Sequence, residues 1–337
     1  MPILLVSHDY NSEQGVCMRV LVTGGAGFIG ANLVEALIRD NEVVVVDDLS
    51  TGSADNVHPD ARFAQMSILD EKFLAEVASF KPDKVVHLAA QASVGASIVD
   101  PHNDWLVNVE GTKAVARAAR SCGARAVISA SSAAVYGTPA ELPICESRHK
   151  LPTNPYGRSK LAAEEVLASE LSRTGTDFAS FRFSNVYGPR QSSQGEGGVV
   201  AIFASRLVRG EELVVFGDGS QTRDFIFVAD VVDSICLALK TETRLCEGGG
   251  DGPAYNISTG TQTNITQLID ALSQISGVEA KVSHEPAVPG DIKHSVLDAR
   301  KADSIFGWEA RIPFETGLEA TYAWYLSSVS APTPGDE

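Results

Sequence analysis

The chain has 337 residues, 44% of them apolar and 21% charged, the balance of a globular enzyme with room for one large domain and a smaller lobe. A net charge of −16 argues against a nucleic-acid partner, whose affinity rests on lysines and arginines that neutralise phosphates, yet it still allows a small anionic ligand held by a few local arginines. No apolar run reaches the length that spans a bilayer, about 18 residues, and Ile3-Leu4-Leu5-Val6 lacks the length and basic lead of a signal peptide, so no membrane partner and a cytoplasmic address are expected.

Residues 1–17 show no periodicity and read as a disordered extension, because Met18-Arg19-Val20-Leu21-Val22-Thr23 is already a complete first strand opening from a methionine. From there, β-branched runs at 20–23, 43–47, 85–88 and 126–129 read as strands buried on both faces. Helix candidates at 28–39, 71–79, 108–121 and 156–171 alternate with them. The alternation predicts an α/β fold, a doubly wound parallel sheet of Rossmann type with right-handed crossovers. This dinucleotide-binding domain is expected over 18–184, completed by part of 223–258. After Asn185 the rhythm degrades, with Gly and Ser crowding 191–198 and prolines at 286, 289 and 313. Residues 185–326 read as a smaller, partly interleaved substrate lobe, and the Ser-, Pro- and Gly-rich tail 327–337 as disordered. The five cysteines are odd in number, scattered and free of any CxxC pair, so neither a disulfide framework nor a metal site is expected.

Thr23-Gly24-Gly25-Ala26-Gly27-Phe28-Ile29-Gly30 follows the first strand directly and opens the first helix. Gly24 permits a tight turn, Gly27 lets backbone approach a pyrophosphate, and Gly30 allows close helix–sheet packing. The N–H groups of the first helical turn then face the phosphates. The acid that such a site needs about twenty residues further on is Asp47, at the end of a valine strand, with Asp48 beside it. A carboxylate there accepts from the ribose hydroxyls and repels a 2′-phosphate, which selects NAD over NADP.

Tyr156 and Lys160 stand at i and i+4, one turn apart on one helix face. A free phenol is a poor base near neutral pH, and a neighbouring ammonium together with the positive helix end is expected to lower its pKa. Upstream, the hydroxyl cluster Ser129-Ala130-Ser131-Ser132 lies at a strand's carboxyl end, where open α/β sheets bind ligands. A serine there can hold a substrate hydroxyl and relay its proton to Tyr156.

Together with Val85-Val86-His87-Leu88-Ala89-Ala90, Asn108-Val109-Glu110-Gly111-Thr112, Asn185-Val186-Tyr187-Gly188-Pro189-Arg190 and Arg223-Asp224-Phe225-Ile226-Phe227, these motifs resemble the extended short-chain dehydrogenase/reductase superfamily, and within it the UDP-glucose 4-epimerase group, from Met18 to about Tyr325. The resemblance implies NAD as cofactor and a UDP-sugar as substrate. It puts Phe28 and Ile29 beneath the pyrophosphate, Ser67 and Ile68 beside the adenine, and Leu88, Ala89 and Ala90 on the nicotinamide side, with Asn108 supporting the sheet end. Tyr156 would be the base, Lys160 the holder of the nicotinamide ribose and Ser132 the hydroxyl partner. Asn185, Val199, Val215, Phe216, Arg190, Arg223 and Asp291 would meet the nucleotide sugar. Two positions depart from the pattern: Ser67 stands where an Asp is usual, and Val288-Pro289-Gly290-Asp291 replaces an Arg-led motif, so Arg190 and Arg223 would carry more of the phosphate charge.

Related dehydratases and decarboxylases carry an acid just after the catalytic hydroxyl, where this chain has Ala133 and Ala134. A 4-keto intermediate is then expected to return as the C4 epimer. A decarboxylase or dehydratase relative, and a non-catalytic NAD sensor, remain the alternatives. Ser295 stands where restrictive relatives have a tyrosine, leaving room for an N-acetyl group, while Arg190 could meet a C6 carboxylate. The helices 108–121 and 156–171 resemble the pair that makes a homodimer in this family.

Overall fold

The computed structural model describes residues 17–138, 141–194, 198–249, 252–288 and 292–330. Its central sheet is wholly parallel and contains, in chain order, β1 (Arg19–Thr23), β2 (Glu42–Asp47), β3 (Arg62–Gln65), β4 (Lys84–His87), β5 (Ala126–Ser132), β6 (Asp177–Phe183) and, much later, a strand at Ala254–Ile257. The spatial order runs from Ala254–Ile257 through β6, β5, β4 and β1 to β2 and β3. The order reverses between β1 and β4, and the ligand crevice of a doubly wound sheet opens at that point, beyond the carboxyl ends of the strands. Valines 43–46 are buried without alternation, as a strand covered on both faces must be.

Helices α1 (Phe28–Leu37), α2 (Phe73–Phe80), α3 (Val94–Val99), α4 (Pro101–Trp105), α5 (Gly111–Ser121) and α6 (Pro155–Leu171) flank this half. The helix read at 108–121 in fact starts at Pro101, because Asp100 caps α4 and a π-turn over Leu106–Glu110 carries it into α5. β3 and β6 were not legible as strands: β3 is short and half-exposed, and β6 carries Arg182 inside its apolar run.

The rest of the chain contributes β7 (Asn185–Tyr187), α7 (Val199–Arg209), β8 (Leu213–Phe216), β9 (Thr222–Arg223), β10 (Phe225–Phe227), α8 (Val228–Lys240), β11 (the edge strand Ala254–Ile257), β12 (Thr263–Asn264), α9 (Ile265–Ser276), β13 (Val282–Glu285), α10 (Arg300–Phe306) and α11 (Phe314–Ser330). Apart from β11, its strands pair two by two, β10 with β7, β12 with β9 and β13 with β8. Asp224, fully buried, joins these pieces: its carboxylate accepts from Thr259 N and Oγ1 and from the N–H groups of Gly260 and Leu297. The tail read as disordered from 327 starts instead as the last turn of α11, whose described part reaches Ser330. The rest of that tail and residues 1–16 lie outside the described residues. No helix among the described residues is long and apolar enough to cross a membrane.

Candidate active site

The glycine turn is built as its spacing predicts. Gly24 sits at φ +72°, and a β-carbon there would fall 2.6 Å from the Ala89 nitrogen; one on Gly30 would fall 2.1 Å from the Gly24 carbonyl oxygen. No side chain can therefore stand between the turn, the start of α1 and the end of β4. Gly27 caps α1 without any side-chain hydrogen bond, so the N–H groups of Phe28 and its neighbours face outward, ready for an anion. Asp47 is buried, and its carboxylate accepts from the Ala26 N–H at 3.0 Å and the Leu49 N–H at 2.9 Å. Each oxygen keeps a further lone pair for a ribose hydroxyl. Asp48 is exposed and only closes a local turn on Ser50. These features fit NAD: a bare phosphate cradle with a carboxylate at its ribose end.

On the adenine side, half-buried Ser67 accepts from the Leu69 N–H, while the Ile68 side chain is buried in the core below. Leu88, Ala89 and Ala90 continue β4 as a half-buried wall, pinned where the Leu88 N–H meets the Thr23 carbonyl at 3.0 Å. Beneath it, His87 is buried between Thr23 Oγ1 at 2.7 Å and Thr112 Oγ1 at 3.1 Å. Thr112 donates to the Asn108 carbonyl, so His87 Nε2 must be the donor to Thr112 and Nδ1 the acceptor from Thr23. Burial first, then the Lys160 charge, hold this imidazole neutral, with a pKa pushed down to about 3. The π-turn aims the buried Asn108 amide sideways, where it exchanges hydrogen bonds with the Gln91 backbone and donates to Ser159 Oγ at 3.0 Å.

The catalytic candidates meet where α6 approaches the end of β5. Asn154 caps α6 by accepting from the Gly157 N–H at 2.8 Å, and Pro155 takes the first helical position, where its missing N–H costs nothing. A β-carbon on Gly157 would fall 2.5 Å from the Ala134 carbonyl oxygen, which brings Tyr156 up to Ser132. Ser132 hydrogen-bonds the Tyr156 side chain in the sense that favours the phenolate, but burial outweighs it and raises the phenol above its ordinary pKa. The expected lowering by Lys160 is thus absent from this state of the pocket: burial of the phenol is the larger effect. Lys160 is itself buried, and loss of hydration pulls its ammonium down to about 8.

Among the sugar-side residues, Arg223 and Ser295 come together: the Ser295 N–H donates to the Thr222 carbonyl at 3.2 Å, beside Arg223 on β9. Asn185 is exposed at the start of β7, hydrogen-bonded through its backbone to Asp224, and Val199 opens α7. Phe216 is 52% exposed and lines a cavity of about 420 Å³ with Gly217, Asp218, Gln221 and Lys293, whereas the Val215 side chain turns into the core at 2% exposure. Arg190 does not join this group. Its guanidinium pairs with Glu35 at 2.6 Å and reaches Asn32 Oδ1 at 3.3 Å on α1, so the charge reserved for a sugar diphosphate or carboxylate is engaged elsewhere. Asp291 lies outside the described residues.

Sequence reasoning missed the polar groups behind the site: buried Asp104, Arg182 and Tyr136, and half-buried Glu164. Only Glu164 left a signal, one further turn along α6 from Lys160 on the same face.

The chain is 40% identical over 317 residues to the UDP-glucose 4-epimerase of Mycolicibacterium smegmatis, covering 91% of this chain and 98% of that one. Its fold matches the Thermotoga maritima UDP-glucose 4-epimerase solved with UDP-glucose, with a TM-score of 0.87, 38% identity, and 93% and 100% of the two chains covered. A UDP-N-acetylglucosamine 4-epimerase from Methanobrevibacter ruminantium matches with a TM-score of 0.87 at 32% identity over 93% and 100%. Residues 20–258 match the model of the NAD-dependent epimerase/dehydratase family, and with the glycine turn, the Asp47 carboxylate and the Ser132, Tyr156 and Lys160 side chains in place, the chain belongs to that family.

Proposed function

We propose that this protein is an NAD-dependent UDP-hexose 4-epimerase. The observation that carries the reading is the hydrogen bond between Ser132, at the end of β5, and Tyr156, one turn before Lys160 on α6, with Ala133 and Ala134 where an eliminating enzyme would need an acid. Bound NAD supplies the acceptor and later the donor of a hydride at C4. The chain's own residues do the proton work. Tyr156 takes the C4 hydroxyl proton, Ser132 holds that hydroxyl, and Lys160 anchors the nicotinamide ribose and steadies charge near the phenol. Without an acid to remove a neighbouring group, the 4-keto sugar turns over and is reduced on its other face.

The segment 185–326 forms the sugar-nucleotide lobe in this reading, with Arg223 as its phosphate cation, Phe216 against the base and Ser295 beside C2. A half-buried serine in place of a bulky side chain supports acceptance of N-acetylated as well as plain hexoses. The Arg190–Glu35 pair speaks against a C6-carboxylate role for Arg190. The reading includes a homodimer, supported by apolar side chains left exposed on α3 and α4, among them Ile98, Val99 and Trp105, just ahead of the α5–α6 pair. It also includes a cytoplasmic address, which suits five cysteines that are all unpaired.

Product analysis on UDP-glucose, UDP-N-acetylglucosamine and UDP-glucuronate tests the activity, and the expected products are the first two C4 epimers. Turnover of none of the three, or release of a dehydrated or decarboxylated product, overturns it. Light scattering at micromolar concentration should give twice the chain mass; a monomer removes the dimer.

A further inference from the structure

We propose that Asn32, Glu35 and Arg190 are positioning residues that clasp the dinucleotide cradle to the sugar-nucleotide lobe, so that occupancy of one site strengthens binding at the other. The proposal rests on the reading above, which gives the start of α1 to NAD and the segment from Asn185 onward to the nucleotide sugar.

Arg190 stands just after β7, and its backbone lies at φ +71°, in the left-handed region that glycine alone enters freely. Such a conformation in an arginine persists only where its surroundings hold it. The holding groups come from α1. Arg190 Nη2 donates to Glu35 Oε2 at 2.6 Å, and Nη1 donates to Asn32 Oδ1 at 3.3 Å. Asn32 is 6% exposed and closes the clasp from its other end, its Nδ2 donating to the Phe28 carbonyl at 2.8 Å and the Pro189 carbonyl at 3.1 Å. Both polar atoms of that amide are thus spent between the helix and the Pro189–Arg190 turn. Among the described residues, no other hydrogen bond or ion pair joins α1 to the segment 185–326.

Each end of the clasp leads to a ligand site. Phe28 is the first residue of α1, in the turn whose N–H groups face outward from the glycine cradle. On the other side, Gln191 follows Arg190 and is held by three contacts. Its Nε2 donates to the Val186 carbonyl at 3.0 Å, and its backbone carbonyl accepts from the Tyr325 hydroxyl on α11. A β-carbon on Gly198 would fall 2.7 Å from the same Nε2, so Gln191 is packed directly against the residue that caps α7. Val199, expected at the nucleotide sugar, comes next. In packing this close, a displacement of the Pro189–Gln191 turn is passed on to the start of α7. The phosphate end of α1 and the start of α7 therefore hold their spacing through the clasp.

The test is equilibrium dialysis of NAD-bearing protein with and without saturating UDP. UDP has no hexose to set against the nicotinamide, and its diphosphate repels that of NAD, so a gain in NAD affinity must come through the protein. In the parent, UDP should tighten NAD by about tenfold, within the usual range for coupled sites. Arg190→Gly suits the left-handed backbone while removing the guanidinium, and Glu35→Gln removes the charge that holds it. Each should reduce the effect of UDP to less than about threefold. If Arg190→Gly does not fold, Glu35→Gln carries the test.

A folded variant in which UDP tightens NAD as much as in the parent overturns the proposal, even where its melting temperature is lower, because the clasp would then serve stability alone. A parent protein that binds UDP without any change in NAD affinity overturns it as well. UDP binding by calorimetry and turnover of UDP-glucose by the parent judge the active-site reading separately: failure there removes the substrate, whereas lost coupling with UDP bound removes only the clasp.

Discussion

Gly157 is seated against Ala134 so closely that an added β-carbon would lie 2.5 Å from the Ala134 carbonyl oxygen. That approach of α6 to the end of β5 is what puts a tyrosine on one element beside a serine on the other. Gly157→Ala must push the helix away or distort the strand end. Overpacking of this kind costs about 1–3 kcal/mol. Thermal melts should show that loss together with a fall in kcat, and an alanine variant equal to the parent in both would mean the close seating is dispensable.

Tyr156→Phe keeps the ring and its packing but removes the hydroxyl that takes the C4 proton. Loss of a general base lowers rate by about two to four orders of magnitude. NAD should stay bound, since the glycine turn and Lys160 are untouched. Ser132→Ala should also slow turnover, less than additively with Tyr156→Phe, because both act on one proton. Epimerisation at the parent rate by Tyr156→Phe would end the catalytic assignment.

Asp47→Asn retains the acceptor for Ala26 or Leu49 but removes the charge facing the ribose. Hydrogen bonds to a charged group contribute about 1.5–3 kcal/mol, so NAD affinity should fall roughly ten- to a hundredfold. The preference for NAD over NADP should narrow at the same time. Dinucleotide released by heat from purified protein checks both points, and an unchanged ratio would show that the carboxylate does not discriminate.

His87 links pH to stability. Its pKa is depressed in the folded state, to about 3, so an unfolded chain takes up this proton first as the medium acidifies. The stabilisation is complete above the unfolded value, about 6.5, and is lost as pH falls from there towards the folded one. Between pH 7 and 4.5 the linkage amounts to roughly 2–3 kcal/mol. Urea unfolding of His87→Gln at those two pH values should show a drop smaller than the parent's by about that amount, and equal drops would place the proton elsewhere.

Ser295 tests the sugar lobe. Its backbone is held to Thr222 beside Arg223, and the proposed reading places its small side chain beside C2 of the sugar. Ser295→Tyr should lower kcat/KM for UDP-N-acetylglucosamine at least ten times more than for UDP-glucose. Equal losses on the two substrates would show that this position does not gate the pocket.

Much of the dinucleotide half was legible because its rules are local. A valine strand buried on both faces, a glycine at φ +72° and an Asn-Pro helix start each depend on a few adjacent residues. The same holds for Tyr156 and Lys160, whose common face follows from helix geometry alone. β6 was hidden because Arg182 interrupts its apolar run, and nothing nearby in sequence announces that Glu164 and Tyr136 neutralise and bind that arginine.

What the sequence by itself determined was therefore the fold class, the glycine turn between β1 and α1, the buried acid at the end of β2 and the shared helix face of Tyr156 and Lys160, because backbone conformation and residue spacing set them. The tertiary structure decided which charges are available. It tied Arg190 to Glu35, turned Val215 inward, and raised the Tyr156 pKa where a lowered one was expected. Electrostatics in a dry pocket depends on burial and on partners distant in sequence, and those exist only once the chain has packed.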